Sequence, residues 1–483
     1  MIGKNQKILI ALCLLYIAPN LASGFYYNDD MFRSVIGYYG WSGDGRPLAD
    51  LIYKYFSMGP VLPDFFPIPL IISIMAYGMI SMNIIEKQFN ISGYIGVAAG
   101  LSIICNPFLS SNLSYRYDSF FMVLSICAAI LPFIKIKNKI TNFVLSIIFL
   151  IASLSMYQAS ISIYIIFSVI EFLILLNGNN SFSLAVSNAT IRFLSLVISM
   201  VLYLHVVIPA TNTGYYFSDF NKPISISIQG AHTLINNFTN AYNYMLGILH
   251  SPLIISVIIS LFLFLLSSYM IVLKSKKKIF ILFSIISTLL AGATFAPGVS
   301  MFSANPSFMP RVYIGFGGLM FVLLIVPALS LQKSNSDVYK KISLVSVFIF
   351  YIGFFLFNAA LVNANTEEFN NKTRLASRIV NSLDSVNLSD NGNLFIAGEP
   401  PRSNAVQIIK MVYPFSEKMI LDTFSNGYDG GRFMLIRSGL NDFSYPDNYT
   451  REKILKLLPN REPVLVNNIF SIYDIENVTL IKF

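Results

Sequence analysis

The sequence predicts a polytopic α-helical membrane protein with a soluble α/β domain at its C-terminal end, and three observations carry this. Of 483 residues, 55% are apolar and only 12% charged, against roughly 45–50% and 25% in an ordinary soluble domain. Apolar runs of about the 20 residues needed to cross a hydrocarbon layer roughly 30 Å thick recur through residues 1–362 and then stop. The charges divide at the same place. Residues 363–483 hold 13 basic and 14 acidic groups, so of 33 Lys+Arg and 24 Asp+Glu, 20 basic and 10 acidic remain for residues 1–362.

The net charge of +9 therefore belongs to the membrane part, where short cytoplasmic loops collect Lys and Arg. This excludes a soluble enzyme, a secreted disulfide scaffold and a nucleic-acid binder. Cys13, Cys105 and Cys127 lie inside apolar runs without metal-ligand spacing and read as small core residues.

The runs fall near 8–23, 66–85, 91–108, 119–134, 140–156, 159–176, 191–209, 252–273, 279–296, 311–331 and 342–361. Only Met156-Tyr157-Gln158 separates the fifth from the sixth, which form a tight hairpin or a re-entrant pair, so nine to eleven helices cross. A cytoplasmic N-terminus puts 14 of the 20 basic residues inside, with Lys274, Lys276, Lys277 and Lys278 the densest group. Arg33, Arg46, Lys54, Arg116, Lys222 and Arg311 are left outside, and an odd number of spans places the C-terminal domain outside too. Lys4 and Lys7 before an apolar run ending in Ala22-Ser23-Gly24 also fit a cleavable signal peptide; either reading puts the next loop outside.

From Asn363 the pattern becomes that of a domain covering 363–483. Short apolar runs at Leu394–Ala397, Phe433–Ile436 and Val464–Val466 and an alternation from Ile469 to Ile481 predict strands. Arg374–Leu383 and Tyr449–Leu458 predict amphipathic helices.

The first external loop, 24–65, holds Asp29, Asp30, Asp44, Asp50 and Asp64, half of the ten acids of the membrane part. Acids contribute little to topology, so their accumulation on one face points to chemistry. In a helix, Arg33 lies i+4 from Asp29 and i+3 from Asp30 and can pair with either. Adjacent carboxylates beside an arginine suit deprotonation of a hydroxyl while a cation holds a phosphate; the plainer reading is a solvated loop with a local ion pair. Trp41, the single tryptophan, sits among Gly37, Gly40, Gly43 and Gly45, which allow close backbone approach to a ligand. It reads as an interfacial anchor or part of a lid. Pro47 starts a helix whose Leu48, Leu51, Ile52, Tyr55 and Phe56 form one apolar face suited to the membrane interface.

The order Asn28-Asp29-Asp30, Arg33, Gly37-Tyr38, Gly40-Trp41 and Gly45-Arg46-Pro47-Leu48-Ala49-Asp50, directly after a first span, resembles the bacterial type II glucosyltransferases that modify O-antigen and change serotype. The match is dense over about 25 residues, and the span count, Arg311 opening a late helix and the external tail are similar over the rest. The resemblance implies a GT-C-like fold in a bacterial inner membrane, with undecaprenyl-phosphate glucose as donor and an O-antigen sugar hydroxyl as acceptor. It also implies an acidic residue of the first periplasmic loop at the reaction centre.

On this reading Asp29 or Asp30 is the catalytic base, and Arg33, Arg46, Arg116 or Arg311 steadies the departing phosphate. Trp41, Asp44, Asp118 and Gln158 complete the expected substrate site. Arg116 and Arg311 also read as interfacial anchors, Gln158 as a turn cap, and the aromatics Tyr215, Tyr216, Phe217 and Phe220 as a membrane belt. His205, His232 and His250 are isolated, no zinc spacing occurs, and no phosphate-cradling glycine loop follows a strand. No metal and no cofactor are expected, and a nucleotide-sugar donor would not reach an external site. The rivals are a lipid-linked sugar transporter or flippase, disfavoured by spans nearly free of charge apart from Glu171, and an O-antigen polymerase or other polyprenyl-phosphate-sugar transferase.

Overall fold

The computed structural model describes residues 2–178, 181–211, 214–389, 392–424 and 430–483, with only the backbone for Tyr215 and Tyr216. The sequence folds as α1 (Lys4–Ala22), α2 (Asp30–Ile36), α3 (Pro47–Ser57), α4 (Ile68–Asn83), α5 (Tyr94–Ile104), α6 (Leu109–Leu113), α7 (Ser119–Ile130) and α8 (Lys139–Leu154). Then follow α9 (Ile161–Asn177), α10 (Phe182–Leu202), α11 (Tyr215–Phe220), α12 (Ile228–Leu246), α13 (Ile254–Lys274), α14 (Lys278–Phe295), α15 (Gly315–Gln332) and α16 (Asp337–Ser385). Among the described residues eight helices are long and apolar enough to cross a membrane, which makes the chain a multi-pass membrane protein. Three shorter apolar helices, α5, α7 and α8, accompany them. These eleven stand where the eleven apolar runs lie.

The bundle is organised around α15, nearly all of whose residues are buried. Small residues let helices approach in a bilayer, and the start of α15 shows why they are needed. A Cβ on Gly315 would fall 1.8 Å from the Phe295 carbonyl oxygen, and one on Gly317 2.8 Å from that of Ile103. Buried amides supply polar ties between helices: Asn358 Nδ2 donates to the Tyr16 carbonyl at 2.8 Å and to Asn20 Oδ1 at 2.9 Å. Glu171 on α9 and Arg192 on α10 form a buried two-point ion pair at 2.9 and 3.1 Å, so Arg192 is a bundle residue and not a loop charge. The three cysteines are free and buried.

The boundary expected at 363 lies inside one unbroken helix. At 49 residues and about 1.5 Å per residue, α16 leaves the bundle and carries Leu375, Ala376, Ile379, Val380 and Leu383 into the core of the tail; the segment expected as a separate helix at 374–383 is its last part. The tail sheet contains β1 (Leu394–Ala397), β2 (Leu465–Val466), β3 (Ser471–Ile475) and β4 (Val478–Lys482) in the order β1-β4-β3-β2. β1 pairs parallel to β4, and the other pairs are antiparallel. The closing alternation is thus the β3–β4 hairpin. The remaining helices are α17 (Asn404–Val412), α18 (Gly430–Arg437) and α19 (Asn448–Leu457). The strand expected at Phe433–Ile436 is corrected: those residues lie in α18, where Phe433 packs on Phe32 of α2 at 4.7 Å between ring centroids. Packing against α2 outweighs a four-residue run, which periodicity cannot assign by itself.

Candidate active site

Five acids crowd the first loop, and the structure separates them by task. Asp30 is fully buried. Its carboxylate accepts backbone N–H bonds from Arg116 at 2.7 Å, Tyr27 at 3.3 Å and Tyr117 at 3.3 Å, stapling the first loop to residues 115–117. Burial, and then the charge of Asp118, push its pKa up to about 8 against these donors. Asp50 accepts from the backbone N–H of Trp41 at 3.1 Å and Ser42 at 2.6 Å, closing the tight 3-10 turn Trp41–Asp44. Asp64 pairs with Arg116 Nε at 3.0 Å. Three of the five therefore hold the loop together, and Asp29 and Asp44 are left.

Asp29 precedes α2 with its side chain 40% exposed and its Oδ2 3.3 Å from Arg311 Nη1. The same nitrogen donates to the Tyr115 hydroxyl at 2.8 Å. The Arg311 carbonyl is fixed by Asn112 Nδ2 and the Tyr157 hydroxyl, both at 2.9 Å. Asp44 carries no side-chain hydrogen bond or ion pair among the described residues. Burial raises its pKa, Arg46 opposes that, and Asp118 adds to it.

The expected pairing of Arg33 with Asp29 or Asp30 is corrected. Arg33 turns inward to Asp118 Oδ2 at 3.1 Å, its guanidinium 4.1 Å from the Trp41 ring centroid and 5.0 Å from that of Tyr38. Burial works most strongly against this charge, but Asp118, Tyr38, Asp29 and Asp30 together outweigh it and the guanidinium is held more firmly protonated than usual. Asp118 Oδ1 also accepts from Trp41 Nε1 at 2.6 Å and Arg46 Nη1 at 3.5 Å. Trp41 is accordingly no interfacial anchor: it is 0% exposed, because its N–H finds a carboxylate inside and its ring packs on Tyr53 and Phe121. Of the apolar face expected on α3, Leu51, Tyr55 and Phe56 are exposed, whereas Leu48 and Ile52 pack against the cluster that contains Trp41 and Tyr53.

Arg116 points away from this cluster, to Asp64, the Ser23 carbonyl and the rings of Tyr26 and Phe66. The chain turns through Arg116, Tyr117 and Asp118, so that Tyr115 reaches Arg311 while Arg116 reaches Asp64. Local spacing does not mark Tyr115, Tyr157 or Tyr203 as site residues; the meeting of distant loops brings them here. Gln158 braces the loop, its Nε2 donating to the carbonyls of Asp44 at 3.1 Å and Gly45 at 3.2 Å and to the Tyr203 hydroxyl at 2.9 Å. Gly45 adopts φ +72°, and a Cβ there would strike the Phe217 ring at 2.3 Å. The close approach this glycine permits is to the protein itself. Phe217 is buried and so is no belt residue; the side chains of Tyr215 and Tyr216 lie outside the described residues.

These groups border a cavity of about 310 Å³. Asp44, Arg46, Gln158 and Arg311 line it together with Met200, Leu204, Phe217, Phe220 and Phe302. Arg46 lies over the Tyr157 ring at 4.7 Å and reaches Asp118 from there. The cavity offers two cations for an anionic group, the Asp44 carboxylate and apolar side chains, and Asp29 is joined to it through Arg311. Among the described residues no group of three or more His, Cys, Asp or Glu side chains gathers to hold a metal ion.

Fold and site together define a polytopic membrane protein with a carboxylate–arginine site at one end of its helices. Residues 18–357 match the family model described as Glucosyl transferase GtrII, and the chain belongs to that glucosyltransferase family. It is 28% identical over 494 residues, covering 100% of this chain and 99% of the relative, to a Salmonella phage P22 protein described as an uncharacterized 55.3 kDa protein in the gtrB 5' region. No solved structure matches.

Proposed function

We propose that the chain transfers glucose from undecaprenyl-phosphate glucose to a hydroxyl of an O-antigen sugar, on the periplasmic face of the bacterial inner membrane, within a GT-C-like architecture. The observation that carries this reading is the Asp29–Arg311 pair at 3.3 Å, with Arg311 also lining a cavity that has both charged and apolar residues in its wall. A polyprenyl-phosphate sugar has both characters too. Arg311 and Arg46 take the phosphate, and Met200, Leu204 and Phe217 take the start of the prenyl chain.

Asp29 accepts the proton of the acceptor hydroxyl as its oxygen bonds to C1 of glucose. The bond from C1 to the phosphate oxygen breaks, and its electron pair leaves on undecaprenyl phosphate, stabilised by the arginines. One displacement inverts the anomeric centre. Asp44 orients the sugar. Asp118 positions Arg33, Trp41 and Arg46, and Gln158 positions Asp44. The tail, residues 363–483, supports α2 and helps receive the acceptor. The bias of basic residues supports the orientation with loop 24–65 in the periplasm.

The transporter reading has one observation in its favour, the buried Glu171–Arg192 pair, since charges within spans often mark transport paths. That pair is closed by further bonds from Gln88 at 3.0 Å to Glu171 and from Arg192 to Ser146 at 3.2 Å, which suits a structural tie. The test is reconstitution of the purified chain with undecaprenyl-phosphate glucose and lipid-linked O-antigen. Glucose on the polysaccharide with stoichiometric undecaprenyl phosphate is the expected result. Movement of the intact lipid-linked sugar without transfer, or lengthening of the polysaccharide without glucose, would replace this reading by transport or polymerisation.

A further inference from the structure

At the far end of α9, about 25 Å from the candidate site by helix length, a second pocket of about 480 Å³ opens where α9, α13 and α15 end. Lys274, Lys276, Lys277 and Lys333 line it, with Ser275 and Ser330 beside them and Leu176, Met270 and Ile271 on its apolar side; no carboxylate is among its lining residues.

Lysines at such a position have an ordinary explanation, the capping of helix C-termini, and it accounts for part of the set. Lys333 Nζ donates to the Asn177 carbonyl and Oδ1, both at 3.0 Å, and Lys274 Nζ to the Lys333 carbonyl at 3.2 Å. Each helix C-terminus carries roughly half a negative charge, so three of them offset about 1.5 of the four ammonium charges. About 2.5 positive charges remain around one pocket, and Lys276 and Lys277 have no side-chain partner among the described residues. Desolvation lowers the pKa of the Lys333 ammonium.

We propose that this pocket binds the phosphate group of an anionic membrane lipid. A phosphate supplies the missing negative charge, the serine hydroxyls add donors, and Leu176, Met270 and Ile271 accept the first carbons of the acyl chains. Basic pockets between helix ends are suited to lipid head groups in this way. The site bridges three helices that also frame the bundle core, and it is separate from the donor cavity.

The test uses the full chain in detergent micelles, with native mass spectrometry reading bound lipid. Three probes are compared: phosphatidylglycerol, zwitterionic phosphatidylcholine, and glycerol 3-phosphate as the soluble form of the same chemistry. The expected result is one retained phosphatidylglycerol, weakened about tenfold or more by the double substitution Lys276→Gln, Lys277→Gln and unchanged by Lys135→Gln, Lys137→Gln on the loop between α7 and α8. Glycerol 3-phosphate binding with the same sensitivity would place recognition in the phosphate alone and name a soluble ester as the source. Equal binding of phosphatidylcholine, no effect of the first double substitution, or an equal effect of the second would overturn the proposal. Lys276 and Lys277 are exposed and make no side-chain contact to be lost, so both proteins should fold, and a melting curve checks this.

Discussion

Arg33 and Asp118, 85 residues apart in the chain, meet at 3.1 Å beneath the ring of Trp41 and are both nearly buried. This contact joins the first loop to the start of α7 and sets the height of Arg46, which shares Asp118. Asp118→Asn should therefore act through folding. Removing one partner of a buried pair typically costs about 3–5 kcal/mol, so folded yield and melting temperature should fall sharply. A normal yield with normal transfer would show that the buried cluster is not what holds the loop.

Asp29→Asn should separate ion pairing from catalysis. Its exposed pair with Arg311 is worth about 0–1 kcal/mol, so expression should hold. An amide cannot take the acceptor's proton, and turnover in the reconstituted assay should drop by about 10²- to 10⁴-fold. Turnover within a few-fold of the parent would move the base to Asp44.

Asp30→Asn should behave differently from its neighbour. An amide nitrogen turned toward the backbone N–H groups of Arg116, Tyr27 or Tyr117 leaves a buried donor unpaired, at about 1–3 kcal/mol. The pH dependence has a definite sign. A carboxyl whose folded pKa is raised to about 8 binds its proton more tightly folded than unfolded, so its contribution is greatest below about pH 4 and is lost as pH rises toward 8. The amide does not titrate. The melting temperature of the parent should therefore fall relative to that of Asp30→Asn between pH 4 and 8; parallel curves would mean that Asp30 is ionised in the fold.

Arg311 and Arg116 give a paired comparison. Arg311→Ala should lower turnover by about 10²- to 10³-fold through lost stabilisation of the leaving phosphate. Arg116→Ala, which breaks a contact to Asp64, should change turnover only a few-fold. Equal losses would show that Arg116 acts on substrate after all.

The tail should matter to the site through α2. Phe433 packs on Phe32, and Arg437 donates to Ser34 Oγ at 3.1 Å and lies over the Tyr26 ring. Phe433→Ala should lower turnover while leaving the membrane helices intact by circular dichroism. Unchanged transfer would separate the tail from the site.

Much of this molecule was legible in one dimension. Crossing helices announce themselves because a bilayer cannot satisfy backbone groups, so each must be a long apolar run; all eleven runs are helical, and among the described residues eight of these helices are long enough to cross. The first loop stood out because carboxylates on a membrane rim need a reason, and its residues Asp44 and Arg46 do border one cavity with Arg311. Local spacing could not say which acid does what. Asp30 and Asp29 are neighbours in sequence, yet one is sealed under the backbone of 115–117 and the other stands in the open, a difference set by a loop 85 residues away. Arg33 had partners within helical reach and took Asp118 instead, because Asp30 is occupied by the backbone N–H groups of Tyr27, Arg116 and Tyr117 and Asp29 by Arg311. The break expected at Asn363 vanished into α16 for a similar reason: composition records where lipid ends, whereas the backbone of a helix continues as long as something packs against it, and here the tail supplies Leu394, Leu435 and Ile472. Patterns that depend on solvent were readable from the chain, and pairings that depend on which loops meet were decided only by the tertiary structure.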